Sequence, residues 1–97
     1  MLFKKIEGFN NYWINFNGEI FSDNLNDFLK TRLSNNGYLF VNLYQNGKQY
    51  TKKIHRLVAE TFIENQNNYD TVDHLDRNKL NNNIENLRWT TIQRKSK

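Results

Sequence analysis

Apolar and polar positions alternate with a period of two through the first half of the chain, the spacing of half-buried β-strands. From Asn11 onward Tyr12, Ile14 and Phe16 fall on one face, Asn17 and Gly18 follow, and Ile20 and Phe21 continue on a return strand. Asn-Gly accepts the positive φ of a type I′ turn, so the run predicts a hairpin. Asp23 to Asp27 is a polar, turn-prone connection. A second series then runs from Phe28 to Leu33, through Asn36-Gly37, from Tyr38 to Tyr44, through Asn46-Gly47, and from Gln49 to Ile54. Asn-Gly pairs between β-rich runs predict an antiparallel meander. In its middle strand Tyr38, Phe40, Asn42 and Tyr44 share one face, and Leu39, Val41 and Leu43 share the other, which is purely aliphatic and therefore belongs on the core.

The period changes at His55 to Ile63, where Leu57, Val58, Ala59, Thr61 and Phe62 fit one face of an amphipathic helix packed on that sheet. Arg56 and Glu60, four apart, meet on its outer side. Glu64 to Asp70 is a polar linker. Beyond it lies the stretch VDHLDRNKLNNNIENLRW, Val72 to Trp89, a long polar loop between two short β-rich runs, Thr71-Val72 and Leu87-Arg88-Trp89-Thr90. A loop that polar folds only if its two ends are held, so the pattern predicts strand, loop, strand. Thr91 can cap a final helix, but Ile92 to Lys97 are too few residues to sustain one in isolation. The elements add up to an α+β chain: a small antiparallel meander with a packed helix, followed by the looped strand pair.

At 97 residues the chain has room for one small domain with a marginal core. It has no cysteine, which excludes disulfides and thiolate zinc sites and suits a reducing compartment. No apolar run approaches membrane-spanning length, so the expectation is a soluble intracellular protein. Fourteen Lys and Arg against ten Asp and Glu leave +4, with a pI near 9.4. That balance favours a polyanionic partner and, taken alone, is matched by a merely solvated basic surface. Asparagine is the commonest residue, which an AT-rich gene explains as well as a physical demand does.

The chemistry-bearing feature is the adjacent carboxylate and imidazole of Asp73 and His74. Neighbours on a regular strand point to opposite faces, so the two can serve one substrate group only where the strand ends or bends. The plain alternative is a surface Asp beside a structural His. His55, at the start of an apolar helix, reads as a packing histidine. Lys30, Arg32, Lys48, Lys52 and Lys53 on the meander offer a one-sided basic surface for nucleic acid, or a solvated outer face. Arg77, Lys79 and Arg88 surround the loop and suit phosphate contacts. Tyr38, Asn42 and Tyr44 can touch bases and sugars or pair across strands.

Taken together, Gly37-Tyr38 with Val41 and Leu43, Gly47-Lys48, His55-Arg56-Leu57-Val58-Ala59 with Phe62, Val72-Asp73-His74 with Asn78-Lys79, and Asn86-Leu87-Arg88-Trp89 resemble the HNH homing endonucleases of phages and large DNA viruses. The N-terminal part, with Tyr12, Asn17-Gly18 and Ser22, is similar to the NUMOD4-like DNA-contacting module. The resemblance implies such a module over residues 1–50 and a truncated ββα-metal (HNH) hairpin over 51–97, in one compact unit. It implies His74 as general base, Asp73 as ligand of one divalent cation, Mg²⁺ or Mn²⁺ and not zinc, and Asn86 as the residue that braces the loop and helps orient His74. It further implies double-stranded DNA as the partner, in the host cytoplasm or nucleoid and with no membrane, and phosphodiester hydrolysis as the reaction, with a nick in one strand as one form of it. Family members supply a second metal ligand, His or Asn, from the final helix; here that position is Lys95, whose ammonium cannot ligate a cation. That departure keeps two alternatives open: a non-catalytic DNA-binding remnant, and a structural protein that recruited the fold into an assembly with a protein partner.

Overall fold

The computed structural model describes residues 2–91. Three small antiparallel sheets surround one helix. The first is ordered β1 (Lys4–Ile6), β2 (Phe9–Ile14), β3 (Ile20–Ser22), β4 (Asp27–Phe28); the second β5 (Arg32–Leu33), β6 (Leu39–Gln45), β7 (Lys48–Lys53). α1 (Ile54–Phe62) follows β7 without a loop, and β8 (Thr71–His74) pairs with β9 (Leu87–Thr90) as the third sheet.

The expected hairpin forms, with Tyr12 opposite Ser22 and Ile14 opposite Ile20, but its connection is longer than a two-residue turn. Asn15 Oδ1 accepts the N–H groups of Asn17 and Glu19, both at 3.0 Å, so one buried side chain closes a five-residue loop, Asn15 to Glu19. Of the three Asn-Gly pairs, Asn46-Gly47 alone has both residues at positive φ, 53° and 77°, the type I′ geometry, and it joins Gln45 to Lys48. β1 lies outside the sequence expectation, since two lysines in a three-residue strand hide its alternation.

The run from Phe28 to Leu33 is also not one strand. Asp27–Phe28 pairs with β3 and Arg32–Leu33 with β6, so the segment crosses between sheets and the single meander becomes two. The sheets are tied where the Tyr44 N–H donates to the Tyr12 hydroxyl at 3.0 Å and where Phe9 meets Tyr50 edge-on, ring centroids 5.3 Å apart. The aliphatic face of β6 is inside as expected, with Val41 and Leu43 buried against Ile54, Leu57, Val58 and Ala59 of α1 and against Ile14 and Ile20 of the first sheet. Val72 and Leu87 carry the third sheet onto the same core. Trp89 packs at its edge and donates its indole N–H to the Ile63 carbonyl at 3.0 Å, fixing β9 to the end of α1. No helix among the described residues is long and apolar enough to cross a membrane.

Gly18 shows how tightly the first hairpin seats against the helix. It has φ +81°, and a Cβ there would lie 2.6 Å from Ile54 Cγ2. Gly47 has φ +77° with open space around it. Gly47→Ala therefore costs the left-handed backbone alone, about 1–2 kcal/mol. Gly18→Ala adds an overpacking cost of about 1–3 kcal/mol. Urea midpoints of the two variants test the difference, with Gly18→Ala the lower.

Candidate active site

β8 stops at His74 because the chain turns immediately after it. The Arg77 N–H donates to the His74 carbonyl at 3.0 Å, and Arg77 itself holds φ 63°. The loop that follows has no apolar core of its own: Leu75 and Leu80 are exposed. Its order comes from short polar side chains folding back on the backbone, the local geometry that Asn and Asp favour. Asp76 Oδ1 accepts the Asn78 N–H at 2.8 Å, Asn78 Oδ1 accepts the Leu80 N–H at 3.0 Å, and Asn83 Oδ1 accepts the Glu85 N–H at 2.9 Å, capping the 3₁₀ turn Ile84–Asn86.

Asn86 joins the two ends of the loop. Its Oδ1 accepts the Asp76 N–H at 3.0 Å, and its Nδ2 donates to Asp76 Oδ1 and to the Asn81 carbonyl, each at 2.8 Å. The side-chain N–H of Asn81, then the Asn78 backbone and Asn86, hold the Asp76 carboxyl below the usual carboxylate range. The loop is also docked from outside. Asn83 bonds the Asn17 side chain, the Ile84 N–H donates to the Phe16 carbonyl at 2.8 Å, and Lys79 Nζ donates to the Asn36 carbonyl at 2.9 Å. Turns of both N-terminal sheets thus support the C-terminal strand pair.

The His74 side chain is buried, 7% exposed, and its Nε2 lies 2.7 Å from Asn82 Oδ1. An amide oxygen only accepts, so Nε2 carries a proton, and in the neutral imidazole that leaves the lone pair on Nδ1, the state a base needs. His55 packs against the ring with centroids 4.9 Å apart and stacks in turn on Tyr38 at 4.8 Å and 24°. Lys53 and Lys79 place their ammoniums 5.1 Å and 4.7 Å from the Tyr38 centroid. Burial, with repulsion from His74, Lys53 and Arg56, lowers His55 to about 4, so it is neutral near pH 7. His55 is the packing histidine expected, and its packing partner is the candidate base.

Asp73 lies opposite Arg88 in the β8–β9 register, on the outer face of the strand, and its Oδ2 is 3.5 Å from Arg88 Nη2. The strand-end condition is met: Asp73 and His74 leave the strand on different faces yet line one cleft, together with Tyr38, Arg77, Lys79 and Arg88. Among the described residues no three His, Cys, Asp or Glu side chains converge as a metal cage. A single half-exposed carboxylate on this open cleft still fits a hard cation whose remaining sites are filled by substrate and water oxygens. Ile92 to Lys97, with the final helix and Lys95, lie outside the described residues.

The predicted cations divide between two sides. Arg32 is opposite Phe40, which is opposite Lys53, so both cations share the face of Tyr38, Asn42 and Tyr44. Lys30 joins them at a depression lined by Arg32, Asn42 and Tyr44. Lys52 departs from the one-sided surface: it is opposite Val41 on the other face, with its ammonium 5.6 Å from the Phe9 centroid. Lys48 shares that alternation and sits beside the Asn46-Gly47 turn. Asn86 braces the loop as expected, but the contact with the His74 ring is made by Asn82, 5% exposed. Sequence reading missed Asn82 because eight residues in an irregular loop carry no periodicity; the asparagine run 81–83 was the available signal.

A strand ending at a carboxylate and an imidazole is thus returned by a braced polar loop to a second strand. Residues 52–97 match the family model described as HNH endonuclease. The structure superimposes with TM-score 0.88 on one described as "DNA binding and cleavage by the HNH homing endonuclease I-HmuI", at 39% identity over 94% of this chain and 53% of that one. An uncharacterized HNH endonuclease, L245, of Acanthamoeba polyphaga mimivirus is 49% identical over 86 residues, 89% of this chain and 26% of the relative. H-N-H endonuclease F-TflII of Escherichia phage T5 is 39% identical over 93 residues, 94% of this chain and 48% of the relative. Residues 52–97 thus belong with the HNH endonucleases, and most of the chain is similar to them. The chain spans about half the length of the phage relatives and about a quarter of the mimivirus one.

Burial of neutral His55 sets an acid limit on stability. Its folded value of about 4 lies below the ordinary 6.5, so the unfolded chain binds the extra proton as pH falls through that window. Stability is full above pH 6.5 and drops by about 3 kcal/mol toward pH 4. Urea unfolding from pH 7 to 4 measures this slope, which His55→Phe, keeping a ring against Tyr38, flattens.

Proposed function

We propose that this chain is a DNA endonuclease of HNH type that hydrolyses one phosphodiester bond per site and so nicks duplex DNA. The observation that carries it is the shared cleft of Asp73 and His74, with the imidazole bonded at Nε2 to Asn82; the neutral ring then has Nδ1 to take a water proton. Arg77, Lys79 and Arg88 around that cleft suit the phosphates on either side of the cut. HNH endonucleases generally use a divalent metal, and here Asp73 would hold Mg²⁺ or Mn²⁺. When bound, that cation supplies charge stabilisation at the scissile phosphate and the leaving oxygen. Residues 1–50 act as a NUMOD4-like DNA-contacting module, with Lys30, Arg32 and, from the neighbouring segment, Lys53 along the duplex. One observation favours a second reading, a DNA-binding remnant: Lys95 stands where the family places another ligand.

Nicking of supercoiled plasmid with Mg²⁺ or Mn²⁺ separates the two. His74→Ala lowers the rate by about 10²–10⁴-fold without weakening binding. DNA left intact under every metal condition, with salt-sensitive binding indifferent to His74, identifies the remnant; absence of binding at low salt leaves an assembly role.

The two faces of β7 give an independent test with neighbouring residues. Lys53→Gln weakens DNA binding and lowers the salt slope by about 0.9. Lys52→Gln, on the opposite face, leaves both unchanged.

A further inference from the structure

We infer that Asn82 is the positioning residue of the candidate base: its side-chain carbonyl holds the Nε2–H of His74 and thereby aims Nδ1 at the cleft. This rests on the reading of His74 as general base. Asn82 Oδ1 and His74 Nε2 are 2.7 Å apart, and both side chains are buried, so water does not readily replace the partner. Other contacts restrain the ring differently. His55 and Tyr38 lie beside the ring at tilts of 48° and 32°, contacts that do not distinguish its two edges, which a half-turn about the Cβ–Cγ bond would interchange. The hydrogen bond at one edge removes that freedom and selects the tautomer at the same time.

Asn82 is itself placed by the loop. It lies between Asn81, tied to Asp76 by its side chain and to Asn86 by its carbonyl, and Asn83, tied to Asn17 of the first hairpin. Gly18 approaches Asn82 closely, so the N-terminal hairpin backs the residue that backs the base. The exposed acceptor oxygens of Asn78 and Asp76 close turns instead and do not reach the ring. The assignment also gives the asparagine run a division of labour: Asn81 and Asn83 build the loop, and Asn82 reads the imidazole.

The test is ¹⁵N–¹H NMR of the His74 imidazole at pH 8, with no metal or DNA present, beside single-turnover nicking at saturating DNA. The unaltered chain shows one tautomer with a slowly exchanging Hε2. Asn82→Leu, similar in shape but without an acceptor, loses that resonance and admits Nδ1–H. It nicks about 100-fold more slowly with unchanged DNA affinity. Asn82→Asp, which restores an acceptor oxygen, recovers the Hε2 signal and most of the rate. Cross-strand contacts between β8 and β9 establish that each variant is folded; where Asn82→Leu loses them, Asn82→Ala replaces it. A native proton on Nδ1, or an Hε2 resonance that survives in a folded variant lacking the acceptor, overturns the assignment, as does an unimpaired nicking rate. If the unaltered chain cuts no DNA, the nuclease reading fails, while the imidazole spectra still decide whether Asn82 holds the ring.

Discussion

The loop between β8 and β9 is closed on itself by Asn86. One planar amide, carrying an acceptor and two donors, engages the backbone at Asp76, the Asp76 carboxylate and the Asn81 carbonyl. Apolar burial within the loop is confined to Ile84 at its far end, since its two leucines face solvent. With that brace in place β8 ends at His74, the strand pair returns through Leu87, and an imidazole and a carboxylate that a continuing strand would separate face one cleft.

The rest of the fold supplies what a short strand pair lacks. A two-stranded ribbon is marginal in water. Here it is anchored by Val72 and Leu87 in the common core, by the Trp89 indole on the end of α1, and by turns of both N-terminal sheets against the loop. The same packing buries His55 beside His74 and keeps it neutral, so the base has an uncharged neighbour at neutral pH. The basic residues that suit DNA lie on the outer face of β5 to β7 and around the cleft, leaving the opposite side to Lys52, Lys48 and the first sheet.

Much of this was legible in the chain itself. Alternation placed Val41 and Leu43 inward, the change of period located α1 to within a residue, and the β-rich runs at Thr71 and Leu87 marked the third sheet. Asn-Gly pairs announced turns correctly but not their type, because Asn15 and Ser34 side chains and carbonyls redirect two of them. The split of Phe28 to Leu33 between sheets leaves no trace in a period-two pattern, since each piece pairs through only two residues. Asp73, His74 and Asn86 stood out by residue type, and the fold puts the first two on one cleft and the third inside the loop. Asn82 and the packing of His55 on His74 were not legible, because both are meetings of segments that local spacing does not connect. The abundance of asparagine, open to a genomic explanation, turns out in this loop to be structural: a polar loop without a core needs side chains that are short, neutral and able both to donate and to accept.

The central claim is that Asn86 orders the loop and so sets the end of β8. Hydrogen exchange in Asn86→Leu, a substitution of similar size without hydrogen-bonding atoms, tests it directly. The account predicts that the Asp76 and Leu80 amides lose protection while those of β6 and β7 keep theirs; full protection of the Asp76 amide in that variant would contradict it.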